Sequence, residues 1–397
     1  MSEWKKCTIG EMVTLRQGFA INAKSKHYIS KEQTSLALLR IADMKSGSRV
    51  IFVKEDIPQN FIAKPQDIIY TRTGNIGLVF RNNYGVVHNN CFTVTPNDEC
   101  ILSRDFLYYL LQSHFFFEKA NSLARGAAQP DLPHSLFNSI EISYPSLQVQ
   151  NKIATILSRY DSLIENYQKQ IKLLEESAQR LYKEWFIDLR FPGHENTKIL
   201  DGVPEGREKK KIGDISKTTS GGTPSRTNNS FYSGSIMWVK TKELCDGFIL
   251  GTEEKITEEA IKKSSAKIVP AGSILMAMYG ATIGKLGIAT KDLTCNQACC
   301  VFLISEDNPL RWYIFNWLLQ NRNFLISQGK GAAQPNLSQD MIKGFELIIP
   351  DDKSLRGYHL LINPIYLNIK SLQSQICQLT EARNRLLPKL MNGEIDV

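Results

Sequence analysis

Gly280-Ala-Thr-Ile-Gly284-Lys285-Leu286 sets two glycines ahead of a lysine, much as a phosphate-cradling loop does. It is one residue short, and Leu286 stands where a serine or threonine hydroxyl must bind magnesium. Pro350-Asp351-Asp352-Lys353 groups carboxylates and a lysine as a nuclease centre does. Such a centre takes its first aspartate from a separate strand, so a surface turn is expected here. Cys295, Cys299 and Cys300 cluster, yet they lack the second ligand pair of a zinc site. They lie in the apolar run CNQACCVFLI and read better as small buried hydrophobes. Neither H-E-x-x-H nor G-x-S-x-G occurs, and the six histidines are dispersed.

Asn363-Pro364-Ile365-Tyr366 comes one proline short of the Asn-Pro-Pro-Tyr used in adenine methylation, and no Gly-rich cofactor motif follows a strand. Asparagine suits a helix N-cap and proline the first helical position, so a helix is expected to start or kink there. The chain is therefore expected to have no catalytic residues, no metal site and no cofactor of its own.

Binding is the remaining chemistry. The 397 residues hold 48 Lys+Arg against 40 Asp+Glu, a formal charge of +8, which suits a polyanion without requiring one. The one dense basic run, Arg207-Glu-Lys-Lys-Lys211, reads by itself as a solvated loop. Hydrophobic residues at 42% and charged residues at 22% are ordinary for folded domains, and the length allows two or three cores. No apolar run reaches about 18 residues, so no membrane partner is expected. The start MSEWKKCTIGEMV has no apolar signal core, so a cytoplasmic protein with reduced thiols is expected.

The elements that must position any binding groups are duplicated. Arg125-Gly-Ala-Ala-Gln129-Pro-Asp131-Leu132 recurs 205 residues later as Lys330-Gly-Ala-Ala-Gln334-Pro-Asn336-Leu337. The same offset carries Glu141 and Pro145 onto Glu346 and Pro350, in strand-like EISYP and ELIIP. Upstream, Asp67 to Gly77 aligns with Ser273 to Gly284, each an apolar strand entering a glycine turn, and Ile9-Gly-Glu11 aligns with Ile212-Gly-Asp214. A repeat this long is a duplicated domain.

A heptad seam follows each copy. It runs through Ile153, Leu157, Tyr160, Ile164, Tyr167, Ile171, Leu174, Ala178, Leu181 and Trp185. The second runs through Ile362, Ile365, Ile369, Leu372, Ile376, Leu379, Arg383, Leu386 and Leu390, with Arg383 its one polar member. Each seam needs a partner, and the simplest is the other helix, antiparallel about a pseudo-two-fold axis. The alternative is that each helix packs on its own domain, although such helices show a wider apolar stripe. Polar, turn-rich residues 191–206 form the boundary. The expected plan is a domain over 1–146, a helix over 147–190, a linker over 191–206, a domain over 207–351, and a helix with its tail over 352–397.

Two related heads on a rod suit two-point recognition of a long repetitive ligand such as DNA. Helices of about 24–32 residues span roughly 36–48 Å, on the order of 11–14 base pairs. The heads differ outside their scaffold, so two unlike half-sites are expected rather than a palindrome.

Several stretches in this order resemble the specificity subunits of type I restriction-modification enzymes. They are Lys211-Ile-Gly-Asp-Ile215, Gly221-Gly-Thr-Pro-Ser225, Ile236-Met-Trp-Val-Lys240, Gly331 to Leu337, Asn166 to Glu176, Trp185-Phe186, Arg190 to Glu195, and Leu387 to Ile395. Arg207 departs from the family's tryptophan, and Arg16-Gln-Gly-Phe-Ala-Ile-Asn22 replaces a GGTPS segment in the first half. The resemblance implies a mixed α/β (α+β) fold: two target-recognition domains separated by two long antiparallel coiled-coil helices. It implies double-stranded DNA as ligand, two methyltransferase subunits and restriction-translocase subunits as partners. S-adenosylmethionine, ATP and magnesium would belong to those partners. Two alternatives remain, a coiled-coil scaffold that reads no DNA and the specificity partner of a fused restriction-methylation enzyme outside type I.

Base reading calls for Arg or Lys on guanine and Asn or Gln on adenine, while phosphates call for cations and loop amides. In the first half Arg72, Asn75, Asn89, Asn90, Arg125 and Gln129 meet that description. In the second half Thr223, Ser225, Arg226, Lys240, Lys242, Tyr279, Lys285, Lys330, Gln334 and Asn336 do. Each also has a plain reading as loop or solvated surface. GAAQP is the same in both heads, so scaffold or phosphate contact fits it better than base reading.

Overall fold

Ile9-Gly-Glu11 and Ile212-Gly-Asp214 open their domains in the same way. In the first, strand Lys5–Thr8 pairs antiparallel with Glu141–Tyr144, then turns into the short helix Ile9–Met12. The Glu11 carboxylate accepts from the Thr8 N–H at 3.1 Å, satisfying an amide at the helix start, and Ile9 is wholly buried. In the second, Glu208–Lys211 pairs with Glu346–Ile349, and the Asp214 carboxylate accepts from the Lys211 N–H at 3.3 Å. The acidic residue is thus shared because the helix start needs it.

The computed structural model describes residues 4–126, 128–200, 202–329 and 336–397. The chain divides into two units, Met1–Ile164 with Gln378–Val397, and Glu165–Cys377. In the first unit a four-stranded antiparallel sheet runs in the order Val13–Gln17, Cys91–Pro96, Ile68–Thr71, Val79–Phe80. Beside it, Leu36–Leu39 lies parallel to Gly85–Val87 in a five-stranded sheet. The second unit repeats this design. Lys217–Ser220, Cys299–Leu303, Ile274–Ala277 and Leu286–Ala289 are consecutive neighbours in one sheet, and Ile236–Val239 lies parallel to Thr294–Cys295. The duplication therefore holds at the level of strand pairing.

Strand register sets Tyr70 directly opposite Phe92 on one face of the first sheet, with ring centroids 5.5 Å apart. Phe137 packs edge-on against both, at 5.1 and 5.0 Å. All three are fully buried.

The long helices are Leu147–Tyr182, extended by a π turn through Ile187, and Asp352–Met391. At 36 and 40 residues they are longer than the roughly 24–32 of the span estimate, and at 1.5 Å per residue they rise roughly 54 and 60 Å. The second does not start at Asn363. Asp351 begins it by accepting from the Ser354 N–H at 2.8 Å, so Pro350-Asp-Asp-Lys353 is a helix start rather than a surface turn. Pro364 lies inside the helix, where a missing N–H costs on the order of 3 kcal/mol. Tertiary contacts offset it. Asn363 Oδ1 accepts from the Trp312 indole at 2.8 Å, and Tyr366 stacks on the same indole at 4.0 Å.

Seam residues do two jobs. In the first unit Ile153, Leu157 and Leu390 enter the domain core, and Arg383 donates to Asp161 at 2.6 Å, joining the two helices. Asp161 also accepts from the Tyr109 hydroxyl at 2.7 Å. In the second unit Ala178, Tyr182, Trp185, Ile362 and Ile369 enter the other core. There Trp185 packs on Tyr358, 6.0 Å between centroids. Tyr160, Ile164, Tyr167, Ile171, Leu174, Leu181, Ile365, Ile376, Leu379 and Leu386 stay half-buried. Within each unit, helix pairing and packing on a domain therefore both occur. Arg207 departs from the solvated-loop expectation: it is buried, with its guanidinium 4.0 Å from the Phe191 ring.

Cys91, Cys295, Cys299 and Cys300 are buried, whereas Cys100, Cys245 and Cys377 are exposed. Burial pushes the Cys91 thiol up to about 12 and Cys300 likewise to about 12. Thiolate is the reactive form. A thiol reagent at pH 8 should label the three exposed cysteines rapidly, half-buried Cys7 slowly, and the four buried ones only after unfolding. Rapid labelling of Cys299 or Cys300 in the native protein would contradict this packing.

Candidate nucleic-acid interface

The turn after strand Ile68–Thr71 gathers most candidates of the first domain. The Arg72 N–H donates to Asn90 O at 2.8 Å, and Leu132 N–H donates to Arg72 O at 2.9 Å. Gly74 N–H reaches Pro130 O at 2.8 Å. Arg125 and Asp131 exchange backbone bonds at 2.9 and 2.8 Å. Three separate segments thus meet: the turn with Arg72 and Asn75, the Asn89–Asn90 turn, and the loop with Arg125 and Gln129. Asn75, Arg125 and Gln129 are exposed there, while Arg72, Asn89 and Asn90 are half-buried.

Arg72 is the best-held group. Its Nε and Nη2 donate to the two Asp131 oxygens at 3.1 and 2.6 Å, and its Nη1 donates to Gln17 Oε1 at 2.9 Å. Gln17 in turn donates to Asn89 O at 2.7 Å, and the Thr73 hydroxyl donates to Asp131 at 2.6 Å. Hydrogen bonds from Arg72 hold the Asp131 carboxyl below its usual range.

The second domain keeps the scaffold and changes the groups. Met278 N–H donates to Ala298 O at 2.8 Å, and Leu337 N–H donates to Met278 O at 2.9 Å, matching the Arg72 bonds. Tyr279 and Asn336 are exposed beside this turn. Lys330 and Gln334 lie outside the described residues. The Thr223 hydroxyl donates to Gln297 Oε1, and Ser225 and Thr227 hydroxyls are 2.8 Å apart. Gly221 explains its own loop. A Cβ there would sit 1.9 Å from the Cys295 carbonyl oxygen, and one on Gly18 would sit 2.3 Å from the His88 oxygen. The first-half segment Arg16–Asn22 is therefore the structural counterpart of GGTPS, aligned on that glycine.

Arg226, Lys240 and Lys242 form a corner of their own. Arg226 stacks over Tyr232 at 4.2 Å and pairs with Glu254 at 2.8 Å. Lys240 pairs with Glu254 at 2.7 Å and Glu253 at 3.1 Å, and Lys242 also pairs with Glu253. The Glu254 carboxyl is held low chiefly by its hydrogen bond from Lys240. These cations are already matched by carboxylates, so a phosphate must compete for them. Glu253→Gln should release Lys242 and leave Lys240 held by Glu254 alone. If this corner faces DNA, duplex binding by the assembled protein should tighten, with a salt slope steeper by about one unit. An unchanged slope would place the corner away from DNA.

Lys285 belongs elsewhere. It pairs with Asp246 at 2.6 Å, as does Arg322 at 3.2 Å through Nη1. Arg322 Nε also donates to Gly284 O at 2.9 Å. This network ties the glycine turn to the helix bearing Arg322.

Sequence reading missed Gln17, Asp131, Gln297, Glu253 and Glu254. The signal available for Asp131 was its change to Asn336, one of two differences in an eight-residue motif.

The described residues contain no helix long and apolar enough to cross a membrane. The family model "Type I restriction modification DNA specificity domain" matches twice, over residues 1–176 and 204–354. The type I restriction enzyme MjaIX specificity subunit of Methanocaldococcus jannaschii is 32% identical over 83% of this chain and 78% of its own length. The HindI specificity subunit of Haemophilus influenzae is 22% identical over 100% of both chains. In fold, the chain is similar to the crystal structure of a type I restriction-modification S subunit from M. genitalium. Their TM-score is 0.63 at 17% identity, covering 98% of this chain and 96% of that one.

Proposed function

The chain belongs to the type I restriction-modification DNA specificity family, and from that membership we propose that it selects a bipartite, asymmetric DNA target without catalysing any reaction itself. Each domain reads one half-site. The helices set the gap between them and dock two methyltransferase subunits, to which restriction-translocase subunits add. S-adenosylmethionine, ATP and magnesium sit on those partners, and the assembly works in the cytoplasm.

The observation that carries this reading is one scaffold bearing two different sets of presented groups. The same backbone bonds set Arg72 with Asp131 at the surface of one unit, and exposed Tyr279 and Asn336 beside buried Met278 in the other. Identical scaffolds with unlike donors and acceptors suit two unlike half-sites.

Partner docking has its own support. Leu360 and Leu367, one heptad apart on one face of the second long helix, are 74% and 50% exposed. Leu173 on the first is 62% exposed. Apolar side chains left in water on long helices suit a covering subunit. Leu360→Glu with Leu367→Glu should weaken co-purification with the methyltransferase subunits at least tenfold while the chain's own melting temperature holds. Undiminished co-purification would move the docking surface elsewhere.

The deciding experiment co-expresses the chain with its methyltransferase subunits in a host lacking other methylases and maps adenine methylation genome-wide. The expected product is a motif with two unlike halves and a fixed gap. Exchanging residues 1–145 for those of a relative should change one half only. An intact complex that methylates nothing would leave the scaffold reading.

A further inference from the structure

We propose that Arg72 is a specificity-determining residue of the first domain and that the base it reads is guanine. The assignment rests on the DNA-specificity reading and goes beyond it by naming a residue and a base.

A guanidinium has five N–H donors in one plane. In Arg72, Nε and one Nη2 donor go to Asp131, and one Nη1 donor goes to Gln17. One N–H on each terminal nitrogen is left over. The carboxylate saturates one edge of the fork, which fixes both its plane and its direction before any ligand arrives. Guanine presents O6 and N7 as paired acceptors in the major groove, and no other base offers two. A pre-oriented pair of N–H groups matches that pattern, and a lysine ammonium cannot reproduce it. The side chain is 20% exposed and its Asp131 partner 35%, so the group is held by protein yet open to solvent.

The alternative role for this pair is to pin the 125–132 loop. Backbone bonds already do that: Arg125 with Asp131, Leu132 with Arg72, and Gly74 with Pro130. In the second unit the corresponding Leu337–Met278 bond forms at 2.9 Å with methionine in place of the arginine. Met278 is buried in the second core and cannot form an ion pair, and the aspartate has become exposed Asn336. Both members of the pair differ, while the Gly-Ala-Ala-Gln-Pro directly ahead of Asp131 and Asn336 is the same. The second head thus keeps the loop bond without the ion pair. A base-reading requirement changes it wherever the half-site changes.

The test uses the co-expressed assembly and sequencing of methylated adenines, with the wild type, Arg72→Lys and Asp131→Asn. Arg72→Lys keeps the charge beside Asp131 and should preserve folding and complex formation, checked by melting and co-purification. The wild-type half-site assigned to residues 1–145 should contain a guanine. Arg72→Lys should lose about 5- to 150-fold discrimination at that one position and none in the other half-site. Asp131→Asn, which frees the fork to swing, should relax the same position less. Full discrimination retained by Arg72→Lys overturns the assignment. So does a uniform loss over both half-sites, which would mark a phosphate contact. A wild-type assembly that methylates no bipartite motif overturns the DNA-specificity reading and this assignment with it.

Discussion

Trp312→Ala is expected to destabilise the second unit by about 3–5 kcal/mol, as for other large aromatic truncations in a packed core. The indole is fully buried. It stacks on Tyr366 with planes 8° apart and meets Phe248 and Phe315 edge-on at 6.1 and 6.2 Å. Its N–H donates to Asn363, beside the mid-helix proline. The truncation thus opens a cavity and strips a donor from the one stretch of helix that most needs tertiary support. Urea unfolding should show the loss as a lower midpoint. A change below about 1.5 kcal/mol would mean that the indole site collapses freely, and that Pro364 is supported by something else.

Gly221→Ala should have the larger effect on function. The added methyl would meet the Cys295 carbonyl oxygen at 1.9 Å, and backbone on both sides has little room to yield. The Gly222 N–H bond to Cys295 O, now 2.9 Å, must lengthen, and Thr223 must leave Gln297. Overpacking of this kind costs roughly 1–3 kcal/mol. The assembly should lose recognition of the second half-site while keeping the first. Gly251 is the control, because nothing lies within 4 Å of a Cβ built there. Gly251→Ala should change stability by less than about 0.5 kcal/mol. Wild-type methylation by Gly221→Ala would remove this loop from the recognition surface.

The duplicated scaffold was legible in sequence because it rests on local rules. Ile9 and Ile212 are followed by an acid two residues on that caps a helix start, and the 125–132 motif recurs at one offset. The helices were legible through their heptads, but what lets the second run on through Pro364 was not. Pro364 looked like a beginning or a kink, and only the stacking of Tyr366 on Trp312, more than fifty positions away, shows why a helix tolerates it. Half of the site was visible in the same way. Arg72, Asn89 and Asn90 flank strand ends, where loops present side chains. What orients or neutralises the cations was hidden. Asp131 reaches Arg72 across 59 positions, and Glu253 and Glu254 reach Lys240 across 13 and 14. Pairings between loops follow no periodicity. Lys240 and Lys242, expected as phosphate contacts or solvated surface, are paired with carboxylates for that reason.

The first unit takes Leu390 and Met391 into its core and Arg383 onto Asp161, although it is otherwise complete by Ile164. During synthesis those closing residues emerge more than two hundred positions later. At about 5–20 residues per second the delay is on the order of ten seconds or more. For that interval Ile153 and Leu157 lack part of their cover, and Asp161 lacks its cation. The amino-terminal domain must therefore wait on the ribosome, holding an unfinished apolar face while the whole second domain is made. That interval is when a holding chaperone has most to bind, and when a prematurely terminated chain would aggregate.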